Sequence, residues 1–98
     1  MMAKNKTKCS DIERNSLNNL EFLSDDILLY VDERNSRQKK LQEATFLGNL
    51  EEKKVMIEFV SNKGCHVIHT TLWAFTSDWV VFKESQRIPT RSIRKVYF

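Results

Sequence analysis

From Lys54 onward, turn-forming residues recur so closely that no helix fits between the apolar runs. Val55-Met56-Ile57-Glu58-Phe59-Val60 reads as a strand, and Ser61-Asn62-Lys63-Gly64 as a turn in which Asn and Gly tolerate positive φ. Cys65 to Phe75 is a long β-rich run carrying Val67, Ile68, Thr70, Thr71, Leu72, Trp73 and Phe75. Thr76-Ser77-Asp78 turns the chain into Trp79-Val80-Val81-Phe82-Lys83, and Glu84-Ser85-Gln86 turns it again. Arg87-Ile88-Pro89 is a short strand whose Pro needs an edge or an end, because it has no N–H to give a ladder. After the brief break Thr90-Arg91-Ser92, Ile93 to Phe98 supplies the last strand. Strands at this meander spacing leave no room for crossover helices, so their sheet is antiparallel. The long Cys65–Phe75 run has to bend strongly and serve both halves of a partly closed barrel, since a sheet this small cannot stay flat.

The first half has a different texture. Residues 1–9 are rich in Lys, Asn and Thr and are expected to be a disordered arm. Ser10 with Glu13 three residues on is a capping-box signal, followed by a loose apolar stripe of Ile12, Leu17, Leu20 and Leu23. A second helix start is read at Ser24, with Asp25 and Asp26 suited to the positive end of a helix dipole. Ile27, Leu28 and Val31, beside Tyr30, would form its buried face. Residues 32–40 are polar throughout and fit either a solvent-facing helix or a loop. Leu41 to Leu50 matches neither period well, and Gly48-Asn49 is read as its end, by a helix C-cap or a turn. The expected architecture is α+β and mainly β. Residues 10–98 make one domain, in which a helical segment and connection (10–50) pack on a five-stranded antiparallel, strongly bent small barrel (54–98). The helices would cover an open end and bury Leu20, Leu23, Ile27, Leu28 and Val31.

Composition removes several function classes. No run of 18 or more apolar residues exists, so no membrane partner is expected, and the basic start Met1–Lys6 has no apolar stretch behind it as a secretory signal would. Cys9 and Cys65 fall in such different settings that they are read as free thiols of a reducing, cytoplasmic compartment. Charge is divided unevenly: residues 1–53 carry 9 basic and 10 acidic side chains, residues 54–98 carry 7 and 3. The second half is therefore a basic module, of the kind that attracts nucleic acid or acidic proteins.

The segments Val55-Met56-Ile57-Glu58-Phe59, Thr71-Leu72-Trp73-Ala74-Phe75 and Ile88-Pro89-Thr90-Arg91-Ser92-Ile93-Arg94-Lys95-Val96 combine a bent second strand, an Ile-Pro step and a closing strand. Over residues 54–98 this pattern resembles the Sm-like and SH3-like small β-barrels, Hfq-like and Rof-like folds among them, which also place a helix first. The resemblance implies a loop site around Arg91, between the last two strands. It also implies a regulatory role exerted on RNA or on a protein partner.

Arg87, Arg91, Arg94 and Lys95 are the candidate phosphate-binding cations, because a guanidinium fork donates two parallel hydrogen bonds to a phosphate. Trp73 and Tyr97, with Trp79 and Phe98, are the candidate platforms for unpaired bases. The leading expectation is a non-enzymatic module that binds RNA or single-stranded nucleic acid through this basic rim. Its competitor is a protein-interaction adaptor or inhibitor acting through helices or an open strand edge, which would also allow a homo-oligomer. No cofactor or metal is expected. His66 and His69, three apart on a strand, point to opposite faces, and Cys65 and His69 share a face but stand roughly 13 Å apart. Catalysis has little to draw on: there is no nucleophile elbow and no Gly-rich phosphate loop.

Overall fold

The computed structural model describes residues 9–98. The expected disordered arm therefore lies, except for Cys9, outside the described residues. One long helix packs on a mostly β, antiparallel sheet. The strands are β1 (Ser10–Asp11), β2 (Lys54–Ser61), β3 (Gly64–Phe75), β4 (Trp79–Phe82), β5 (Arg87–Pro89) and β6 (Ile93–Tyr97), and the helix α1 is Val31–Glu51.

The path across the sheet is β5-β4-β3-β2-β6. β3 is its pivot. Gly64 to Thr71 pairs with β2, and Leu72 to Phe75 pairs with β4 through a register shift between Leu72 and Ala74. The inward alternation His66, Ile68, Thr70 changes phase there, so that Thr70, Thr71 and Leu72 are all buried in succession. The unpaired stretch of β3 that β4 leaves behind is taken by β1, which pairs in parallel at Ser10↔His66 and Asp11↔Val67. β2 alternates strictly, with Val55, Ile57, Phe59 and Ser61 inward, and this period of two is what fixes its register. The core joins Val55, Ile57 and Phe59 to Ile68, Leu72, Val80, Phe82, Ile88, Ile93 and Val96. Thr90 and Ser92 are buried without penalty because their hydroxyls donate to Thr76 O (3.0 Å) and Pro89 O (2.7 Å).

The first half departs from the sequence reading. Ser10 opens no helix: it pairs with β3, and a hydrogen bond from Ile12 N to Val67 O (3.0 Å) continues the contact. Only a short 3-10 turn forms at Arg14–Asn19. Residues 20–30 form neither helix nor strand and run irregularly, with bends at Ser24, Asp25, Ile27 and Tyr30. Asp26 does not start a helix either. Its carboxylate accepts the Leu28 N–H at 2.9 Å, a local turn that competes with helix formation. Of the expected buried face, Leu28 is buried and Leu20 and Ile27 are half-buried, whereas Leu23 and Val31 are exposed.

The helix instead runs through the polar and ambiguous stretch. Residues 32–43 are dominated by straight-chain residues that lose little entropy in a helix, and Asp32 and Glu33 sit in its first turn where the dipole favours them. Its buried stripe is narrow: Leu41, Ala44 and Gly48. Gly48 is therefore not a C-cap. It lies where the helix meets β3, and a Cβ there would stand 2.1 Å from Leu72 O. The helix ends four residues later, at Glu52 in the left-handed region (φ 51°), whose N–H bonds to Gly48 O and Leu47 O.

Candidate functional site

The last strand sets up the site by a break in its alternation: its register against β2 shifts between Glu58 and Phe59, leaving Arg94 as the extra residue, so two residues three apart share a face. Ile93 and Val96 enter the core, leaving Arg94, Lys95 and Tyr97 toward the outside. Facing β6, the first half of α1 presents Glu33, Ser36, Arg37 and Lys40, which share one helical face at spacings of three and four. Between the two elements lies a cleft of about 490 Å³, lined by these residues with Leu28, Asp32 and Val96.

Arg37 fastens the floor of this cleft. Its Nη1 donates to Asp26 Oδ1 (2.9 Å) and to Ile93 O (3.0 Å), and its Nη2 donates to Asp26 Oδ2 (2.6 Å). One side chain thus joins the irregular segment, the helix and β6. Burial of Asp26 works to raise its pKa. The hydrogen bonds from Arg37 and the Leu28 N–H outweigh that, with the charges of Arg37 and Arg34, and hold the carboxyl below its ordinary value. Glu58 on β2 plays a similar part on the outer face. It accepts from Arg94 Nε (2.5 Å) and, more weakly, from the Tyr97 hydroxyl (3.4 Å).

The cleft brings together Arg94, Lys95 and Tyr97 from the sequence-predicted set. The other members lie elsewhere. Arg91 donates from Nε to Leu23 O at 2.6 Å, while its own carbonyl accepts the Ile27 N–H at 3.1 Å, so it clamps the irregular segment to the β5–β6 link. Arg87 lies over the Trp79 ring, 4.2 Å from its centroid, on the β4–β5 pair. Trp73 sits near the far end of α1, where Asn49 Nδ2 donates to its carbonyl at 3.1 Å. Trp73, Trp79, Tyr97 and Phe98 are all exposed, not drawn into the core. Lys95 lies 6.0 Å from the Tyr97 ring centroid and Lys40 5.1 Å from that of Phe98. Sequence reading missed Glu33, Ser36, Arg37 and Lys40. Helical phasing of the polar run would have placed them on one face.

Two further arrangements bear on chemistry. Cys9 and Cys65 are not the free thiols expected of a reducing compartment: they are joined in a disulfide across a separation of 56 residues. His66 and His69 do face opposite ways. His69 is exposed, and His66 is buried with its Nε2 2.7 Å from Ser61 Oγ, which also accepts the Lys63 N–H at 3.1 Å. The Phe59 ring lies 5.2 Å from the imidazole, and Phe22 packs on Phe59 at 6.2 Å. The Ser61 hydroxyl serves here to satisfy a ring nitrogen in the core.

Comparison with protein-family models, curated proteins and solved structures returns no match.

Proposed function

We propose that the chain is a non-enzymatic binding module that takes an extended segment of a protein partner into the α1/β6 cleft, pairing it with the outer edge of β6. The observation that carries this reading is a strand edge bordering a cleft. β6 ends the strand path, and its outer side faces the space lined by α1. An incoming strand there gains backbone hydrogen bonds from the edge and side-chain contacts from the cleft walls.

The path also supports a partly closed, strongly bent barrel of the small-barrel kind. β5 and β6 stand at opposite ends of the sheet, yet only Thr90–Ser92 connect them. Four strand spacings in a flat sheet amount to roughly 19 Å, and a three-residue link spans at most about 14 Å. The sheet has to curl to bring its ends so near. In the gap, Arg91 and Arg37 tie the start of β6 to the irregular segment and the helix, which leaves Lys95 to Tyr97 as the stretch for a partner. Lys40 and Lys95 at that end favour a segment bearing a carboxylate.

A second reading, RNA or single-stranded nucleic acid, draws support from the three exposed rings that each carry a cation: Trp79, Tyr97 and Phe98. It is weaker because Arg94 and Arg37 are engaged with Glu58 and Asp26, and Asp32 and Glu33 line the same cleft. Among the described residues, no helix is long and apolar enough to cross a membrane.

Selection from a random peptide library against the immobilised protein tests the leading reading. Extended, apolar peptides with an acidic residue should be enriched, and Lys95→Glu and Tyr97→Ala should each weaken them about tenfold or more. If no peptide is enriched, and oligonucleotides bind with a log–log salt slope that Arg87→Ala and Lys95→Ala reduce, the nucleic-acid reading replaces it. Sedimentation of the protein alone shows whether a second copy occupies the edge instead.

A further inference from the structure

Cys9, Cys65, Glu58 and Arg94 form a cluster outside the backbone-pairing edge. The two sulfurs and a Glu58 carboxylate oxygen lie within 4.8 Å of one another, and all three residues are half-buried, so small molecules can reach them. Arg94 holds the centre of the group: its Nη2 donates to Cys65 Sγ at 3.0 Å and to Cys9 Sγ at 3.3 Å, while its Nε is held by Glu58. Cysteines and a carboxylate at this spacing could ligate a soft cation, but the guanidinium places a fixed positive charge against the same atoms. A fixed positive charge beside sulfur favours a different chemistry, because it stabilises a thiolate.

We propose that the Cys9–Cys65 bond is a reversible thiol–disulfide exchange site, with low-molecular-weight thiols as its co-reactant and Cys65 as the sulfur that leaves. A thiolate RS⁻ attacks Cys9 Sγ; the R–S–S–Cys9 bond forms, the Cys9–Cys65 bond breaks, and the electron pair stays on Cys65 Sγ. Arg94 stabilises that charge at the nearer of its two sulfur contacts, and a better-stabilised leaving thiolate departs faster. A second RS⁻ attacks the R sulfur of the mixed disulfide, releasing Cys9 as thiolate and RSSR as product. In sum, one protein disulfide and two RSH give two protein thiols and RSSR, a two-electron transfer. Reduction unlinks Cys9 from β3 and leaves β1 held there by backbone bonds alone, so that the β3 edge at His66 and Val67 becomes easier to open.

The experiment uses the whole chain and glutathione. Oxidised protein, without denaturant, is incubated with reduced glutathione, and thiols are counted by maleimide labelling and mass. Alkylation of the reduced protein by iodoacetamide is then followed against pH, with peptide mapping to identify the site. Native glutathione should expose both thiols, and oxidised glutathione should close the bond again. Cys65 should alkylate with a midpoint below the ordinary thiol value of about 8.5. Arg94→Met should slow that reaction about tenfold at neutral pH, which corresponds to about one pH unit in the midpoint. Glu58→Gln, which frees the guanidinium from its carboxylate, should accelerate it. Because unfolding would also expose a half-buried thiol, the Glu58→Gln rate counts only with a circular dichroism spectrum and a urea midpoint that match the wild type, and with the alkylation midpoint moved to lower pH. A bond that native glutathione leaves intact overturns the proposal. So do alkylation rates that are the same in the wild type and in both variants.

Discussion

Two coverings lie on the same sheet and are held by different physics. Helix α1 satisfies its own backbone hydrogen bonds and needs only surface contact. It makes that contact through Leu41, Ala44 and Gly48, small enough at one end to bring its backbone against β3. The stretch from Cys9 to Tyr30 has little hydrogen bonding of its own beyond the 3-10 turn at Arg14–Asn19, so polar groups buried in it have to be satisfied by the sheet or helix. It is fastened point by point: Cys9 to Cys65, Ile12 to Val67, Glu21 to Asn62, Leu23 and Ile27 to Arg91, and Asp26 to Arg37. Leu17 joins the main core cluster, with Ile12, Leu20 and Phe22 packed against it, and Leu28 is buried apart from that cluster. A packed covering fails by a steric fault, and a tethered one fails when a tether is cut.

The largest effect should come from the covalent tether. Replacing both cysteines by Ser removes a cross-link over a separation of 56 residues, worth up to about 4 kcal/mol in the loop-entropy account. Urea unfolding of oxidised wild type against the double variant measures it. A loss near zero would mean that the remaining contacts already hold the segment in place, and the contrast between coverings would weaken.

Next comes the ionic tether. Arg37→Met leaves the Asp26 carboxylate and Ile93 O without their donor in a poorly hydrated place, where Arg37 is 8% and Asp26 17% exposed. The expected loss is about 3 kcal/mol. Asp26→Asn in the same background should recover part of it, because the uncompensated charge is gone. If the two substitutions add without coupling, Arg37 is not the bolt that joins the segment, the helix and β6.

Gly48→Ala tests the packed covering. Alanine favours the helix by about 1 kcal/mol over glycine, but its Cβ collides with Leu72 O, a backbone atom that cannot swing aside. Helix and sheet would have to separate, at a net cost of about 2 kcal/mol. Thermal unfolding followed by circular dichroism reports it, and a stabilised variant would show that the contact has room to spare.

This division also explains what could be read from the chain. From Lys54 on, apart from the register shifts in β3 and β6, strands are specified by neighbours two residues away and by turns such as Asn62-Lys63-Gly64 and Thr76-Ser77-Asp78, so local pattern and final pairing largely agree. In the tethered stretch the partners are remote. Ser10 and Glu13 carry a helix-start signal, but β1 pairing with β3 and the bond to Cys65 override it. Asp26 looks like a first-turn carboxylate until Arg37, 11 residues later, claims it. The helix was obscured because its contact stripe is made of one large and two small residues, which carries little apolar periodicity. The candidate site divides the same way. Its β6 half, Arg94, Lys95 and Tyr97, was legible as a basic strand with aromatics, while its α1 half lay hidden in a polar run.

The smallest effect is a titration. His66 is buried against Phe59, the ring on which Phe22 of the tethered stretch packs. Burial, with a lesser contribution from the charge of Lys63, depresses its pKa below the ordinary 6.5. As pH falls, the unfolded chain therefore binds a proton before the folded one does. Stability is fully present above about 6.5 and declines as the pH drops from there through the folded value. Asp26 adds a separate loss at lower pH, since its depressed pKa protects the fold above the ordinary 3.8 and that protection fades as the carboxyl is protonated. Urea midpoints taken between pH 7.5 and 5 should fall in wild type and stay level in His66→Gln, whose amide can still bond Ser61 Oγ at 2.7 Å from the present ring nitrogen. Proton uptake at His66 works against the layer that Phe22 covers, so amide exchange at Leu20 to Leu23 should quicken before exchange at α1 does. Equal quickening in both coverings would mean that His66 senses the core as a whole, and the boundary between the tethered and the packed covering would have to be redrawn.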